Sequence, residues 1–237
     1  MNWSDISVQR YTSLWPYIQA GDVMSVTMEL NDIGPDELDD MTLGQVESMV
    51  NESKFIFNTL PTVALPITIN EERFEPIPFN RIEFGAFIDL EYHIMDYMEH
   101  LPRLLSIIYR RPIKNDIWSS DGWEPYGDFN KRLTLFGECR IYEVFGAVAG
   151  YLEFRDNIFK NYEGLFSEKE EYDEIDYRSL TPEERKELEQ AKRVSKWGYE
   201  LLLMRLANND PLRVSQAAGL SVTTALNLLG MMSELKI

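Results

Sequence analysis

A single cysteine, Cys139, occurs in the whole chain, so no intramolecular disulfide can close and no cysteine-rich metal site can form. There are only two histidines, His93 and His100, which confines imidazole chemistry to one short stretch. Bases are scarce: 23 Lys and Arg stand against 40 Asp and Glu, a formal charge of −17. Each phosphate contact needs a cation, so a field of this sign opposes nucleic-acid binding. No apolar run approaches the roughly 18 residues of a membrane span. The opening Met-Asn-Trp-Ser-Asp lacks the basic, apolar pattern of a targeting segment. Neither G-x-G-x-x-G nor G-x-x-x-x-G-K-[ST] occurs, so no phosphate-cradling loop is expected. These absences predict a protein made in a cytoplasm, with no cofactor, no membrane span and no specific nucleic-acid binding.

What the chain has in quantity is large apolar side chains. Hydrophobic residues make up 44% of it, with twelve Tyr, twelve Phe and five Trp, enough for a sizeable core in 237 residues. Val8, Tyr11, Trp15 and Ile18 recur at helical spacing, as do Val23, Val26, Leu30 and Ile33. Thr42 and Gln45 form a capping-box pattern that opens a third helix, with Leu43, Val46 and Val50 expected inward. Ile67-Thr68-Ile69 and Arg73-Phe74-Glu75 flank Asn70-Glu71-Glu72, which predicts a hairpin. Apolar positions from Phe84 through Phe87, Ile88, Met95, Met98, Leu101 and Leu105 to Ile108 predict a long central helix, kinked at Pro102. Residues 116 to 128, with Trp118, Trp123 and Pro125, read as an aromatic-bearing loop. Helical spacing returns through Val144, Val148, Tyr151, Ile158 and Tyr162.

Between Ser167 and Ser179 six acids crowd together, a run that self-repulsion keeps extended. Thr181-Pro182-Glu183-Glu184 then opens a helix to about Ala207, and Ser221 caps a final one. The fold expected is mainly α, a multi-helix bundle with a small β hairpin near residues 66–77 and a C-terminal helical unit. The divisions are a helical body over 1–166, an acidic linker over 167–180 and the C-terminal unit over 181–237.

The chemistry these residues offer is thin. Asp89, His93, Asp96 and His100 would share one face of a continuous helix, the best metal-ligand pattern present, yet that face lies opposite the apolar stripe, where a solvated polar row belongs. Cys139 lacks any motif pairing it with a histidine and reads as a buried structural thiol. No catalytic residue, cofactor ligand or metal site is assigned. Val214 to Leu226 has the small residues and glycine of a helix-turn-helix, but from Pro211 onward only Arg213 and Lys236 are cationic. It therefore reads as a packing unit and not a DNA reader. Val194, Trp197, Leu201 and Met204 lie at helical spacing and form the expected protein interface, one that would make the chain a homo-oligomer or a subunit of a larger assembly.

Four segments taken in order carry a resemblance. They are Ile6-Ser7-Val8-Gln9-Arg10-Tyr11 followed by Asp39-Asp40-Met41-Thr42-Leu43, then Phe84 to Leu90, then Leu105 to Pro112, then Trp197 with Leu206 to Pro211. Over most of its length the chain resembles morphogenesis and virion proteins of tailed bacteriophages of Bacteroides-type hosts, crAss-like phages included, some of them tail assembly chaperones. The resemblance implies a non-enzymatic virion protein, structural or packaged, touching portal, capsid or tail proteins. The alternatives it leaves are a tail assembly chaperone or a host-directed adaptor using the helix-turn-helix-like C-terminus.

Overall fold

A computed structural model describes residues 2–113, 122–124, 126–127, 132–166 and 198–235. The chain is mainly helical, with one small three-stranded antiparallel sheet. It divides into two units: Met1–Ile77 with Leu90–Tyr151, and Pro78–Asp89 with Leu152–Ile237. This division follows other lines than the acidic run at 167–180, which lies outside the described residues.

Unit 1 starts with four helices, α1 (Val8–Ala20), α2 (Val23–Asn31), α3 (Pro35–Asp39) and α4 (Leu43–Ser53). Each start has a local cause. Ser7 accepts from the Arg10 amide at 3.1 Å and Asp22 from the Ser25 amide at 3.0 Å, satisfying donors that a helix start leaves open. At α4 the expected capping box is present, with the Gln45 side chain accepting from the Thr42 amide at 2.9 Å. Leu43, expected inward, is instead exposed in the first turn of α4. Pro35 opens α3 from the first-turn position where its missing N–H costs nothing. Arg10 donates to the carbonyl oxygens of Glu29 and Leu30 at 2.7 and 3.0 Å, tying α1 to the end of α2.

The hairpin falls where expected, β1 (Ile67–Ile69) against β2 (Glu72–Pro76), with β3 (Tyr109–Arg110) completing the sheet. Its turn is tighter than the anticipated three residues. Ile69 pairs with Glu72, leaving only Asn70 and Glu71, both at positive φ (50° and 66°). Two left-handed turn residues match the twist of the flanking strands.

The long central helix is a correction. α5 (Phe84–His93) stops, residues 94–100 turn, and α6 (Leu101–Ile108) starts afresh with Pro102 in its first turn. Inside a continuous helix the Pro102 ring would clash with the carbonyl of Met98. Placed at a new start it disturbs nothing. Met95, expected in the apolar stripe, is 79% exposed in this turn. Beyond it come α7 (Leu133–Glu138), α8 (Ile141–Asn161) and α9 (Glu163–Phe166). Residues 114–121, 125 and 128–131, most of the expected aromatic loop, lie outside the described residues.

The core of unit 1 gathers Val8, Tyr11 and Leu14 from α1, Leu101, Leu104, Leu105 and Ile108 from α6, and Phe136 from α7. Phe136 meets Phe74 and Tyr109 with ring centroids 5.6 Å apart in each case. A short extended segment is stitched to α8: Leu65 donates to Glu143 and Gly146 donates to Val63, both at 2.9 Å. A Cβ on Gly146 would stand 2.4 Å from the Val63 carbonyl carbon. Only glycine permits that approach.

Unit 2 contains α10 (Gly198–Leu206), α11 (Val214–Ala218) and α12 (Val222–Leu235), with α10 packed on both α11 and α12. It too is stitched by an extended segment. Phe84 donates to the Leu220 carbonyl at 2.7 Å and Val222 donates to Ile82 at 2.8 Å, so residues 82–84 pair with the turn between α11 and α12. Buried Phe84, Phe87, Val222, Leu226 and Leu229 fill the space beneath.

Candidate functional site

The C-terminal helices adopt the helix-turn-helix outline foreseen in Val214 to Leu226. Gly219 in the turn has φ −80°, a conformation open to any residue, so it is not there for a left-handed backbone. Ser221 Oγ accepts from the Thr224 amide at 3.3 Å and caps α12. From Val222 to Leu235 there is no Lys or Arg, which leaves the second helix without a side-chain cation to hold phosphates.

Part of what α12 presents to solvent is apolar. Leu228, Met231 and Leu235 follow one another by three and four residues and are 37%, 50% and 61% exposed, so they line one side of the helix and open progressively toward its end. Beside them runs an open groove of about 450 Å³, with Asn161, Tyr162 and Leu165 on one wall and Gly230 and Met231 on the other. The Tyr162 hydroxyl donates to Asn227 Oδ1 at 2.8 Å and closes one part of that wall. Of the four interface residues read from the sequence, Leu201 is exposed on α10 and Met204 is half-buried. Val194 and Trp197 lie outside the described residues. In the sequence the α12 row is hidden by Val222, Leu226 and Leu229, which give the same helix a second, buried apolar register.

The histidines do not form the expected ladder. α5 ends at His93 and His100 sits just before α6, so the four residues no longer share one helix. The rings come together differently, with centroids 5.0 Å apart and edge to face. Arg103 donates from Nη1 to Nε2 of His93 at 3.1 Å, occupying the lone pair that a metal would need. Among the described residues no group of three or more His, Cys, Asp or Glu side chains is placed to hold a metal ion. Cys139 is half-buried, not fully buried, and donates to the Leu135 carbonyl at 3.5 Å. Burial, then the carboxylates of Glu143 and Glu138, push its thiol up to about 12. The nucleophilic thiolate is therefore suppressed.

A cluster that sequence reading missed lies in unit 1. Beyond β3 the chain pairs with residues 122–124: Ile113 donates to Gly122 at 2.8 Å and Glu124 donates to Arg111 at 2.9 Å. This brings the Glu124 carboxylate among three arginines. Arg111 Nε donates to Oε2 at 2.9 Å, Arg132 Nη1 donates to Oε1, and Arg110 Nη1 reaches the Glu124 carbonyl at 3.4 Å. Arg110 is only 1% exposed and its guanidinium lies 5.5 Å from the ring centre of Tyr126. Burial first, then the neighbouring Arg110 and Arg111 charges, lower the Arg132 guanidinium to about 10. The available signal was Arg110-Arg111 standing together in so acidic a chain. Comparison with protein-family models, with curated proteins and with solved structures finds no match for this chain.

Proposed function

We propose that this protein is a non-enzymatic component of a tailed-bacteriophage particle, structural or packaged, that works through contacts with portal, capsid or tail proteins. The observation that carries the binding half of this reading is the exposed row Leu228, Met231 and Leu235 on α12. Apolar side chains lined up on one helix face are stabilised by covering them with another surface. The charge of −17 supports a protein partner over a polyanion. The phage half rests on the four segments quoted above. No helix among the described residues is long and apolar enough to cross a membrane, so the reading invokes no membrane anchor.

Mass spectrometry of purified particles tests the proposal. The protein should be present at a reproducible ratio to the portal and capsid subunits. Absence from particles, with strong expression during infection, would replace it with a tail assembly chaperone. A pull-down that recovers a bacterial protein and no phage protein would replace it with a host-directed adaptor.

A further inference from the structure

We infer that the groove between the α8–α9 corner and α12 receives an α-helix from a partner protein, and that this helix is cationic along the edge it brings to Glu234. The inference rests on the protein-binding half of the proposed function and names the chemistry of what binds. Each wall of the groove contains a glycine, Gly164 on α9 and Gly230 on α12. A Cβ built on either meets nothing within 4 Å, and neither takes a positive φ. Backbone conformation and packing within this chain therefore do not require glycine at these positions, and inside α12 it is a less stable choice than alanine. What the missing side chains provide is depth, so that a second helix can approach the α12 backbone closely. The walls are helices with no strand edge to extend, which suits an amphipathic helix whose apolar stripe covers Met231 and Leu235. Charge decides the rest. Glu234 is the one ionisable side chain among the described lining residues. It is exposed in the last turn of α12, where the carbonyl ends add partial negative charge and no base is present. Lys236 follows outside the described residues. Glu163 is exposed next to Gly164, and a chain charge of −17 draws a partner of the same cationic kind.

The test selects from a yeast-displayed library of single helices, randomised in sequence, against the purified full chain, with Gly230→Met as the counter-target. Binders enriched on the wild type should have apolar residues at helical spacing and more Lys and Arg than Asp and Glu. They should bind Gly230→Met at least tenfold more weakly, because the added side chain fills the notch. Glu234→Lys should weaken the same binders several-fold, and more at low salt than at high. Glu234 is exposed, so this second variant decides the matter even if the first folds poorly. Enriched sequences without a cationic excess, binding that both variants leave unchanged, or no enrichment at all would each overturn the proposal. So would a wild-type chain that dimerises in sedimentation equilibrium while Gly230→Met stays monomeric, because the groove would then belong to a second copy. Absence of the protein from purified particles would fail the phage reading alone, since the selection does not depend on it.

Discussion

The two units use one device with different tolerances. In each, a few extended residues form backbone hydrogen bonds with helical elements distant in sequence, and a glycine lies at the close approach. In unit 1 the obstacle facing Gly146 is the backbone of Thr62 and Val63, as near as 2.4 Å to a built Cβ. In unit 2 the nearest atom to Gly85 is the Ala218 Cβ at 3.2 Å. Backbone cannot swing aside, whereas two small side chains can shift by a few tenths of an ångström. Unit 1 is therefore pinned, and unit 2 has slack at the corresponding point.

The two units should differ most under Gly146→Ala. It should lower stability by about 3 kcal/mol or more, the upper end of overpacking costs, because the methyl displaces residues 62–63 and endangers both 2.9 Å hydrogen bonds of the stitch. Urea unfolding measures it. Gly85→Ala should stay within about 1 kcal/mol of wild type, since the helix gains in propensity roughly what the tight contact costs. Equal losses from the two substitutions would abolish the distinction.

Of intermediate size is Tyr151→Phe in unit 1. Its hydroxyl donates at 2.8 Å to Glu91, a carboxylate only 7% exposed. Removing a hydrogen bond to a buried charged group costs about 1.5–3 kcal/mol. A loss within the error of urea unfolding would mean that water takes over the bond.

The smallest effect is one of pH, and it too singles out unit 1. Burial raises Tyr11 and Cys139 to about 12 each and raises Tyr109 as well. Losing these protons is harder in the folded chain than in the unfolded one. The stabilisation is therefore fully present below the unfolded values, 9.0 for the thiol and 10.0 for the tyrosines, and declines as the pH rises above them. Urea midpoints should be flat to about pH 8.5 and fall beyond it. At pH 8 Cys139 should react with iodoacetamide far more slowly folded than in urea. Rapid alkylation of the folded chain would show the thiol to be less shielded than its surroundings imply.

Local signals were legible in the sequence wherever a few neighbouring residues decide the outcome. Thr42 with Gln45 announced α4, and Ile67 against Phe74 announced the hairpin. The turn is one residue shorter than the sequence implies because Glu71 takes a positive φ, unusual for a side chain of its kind. The break between α5 and α6 was obscured by Met95 and Met98, which continue the apolar spacing although only Met98 is buried. Features resting on distant partners were not legible. Nothing near Gly146 signals residues 62–63, and nothing near Arg132 signals that a strand pairing delivers Glu124. The fold class could be read from periodicity, whereas the arginine cluster and the α12 row required the assembled chain.

If the protein acts through contacts made by its C-terminal helices, Met231→Glu combined with Leu235→Glu should remove them. Both side chains are at least half exposed, so circular dichroism and the urea midpoint should match the wild type. Incorporation into particles, quantified by mass spectrometry, should fall about tenfold or more, the effect of losing at least about 1.4 kcal/mol of contact energy. A folded double variant that enters particles at the wild-type ratio would contradict the account.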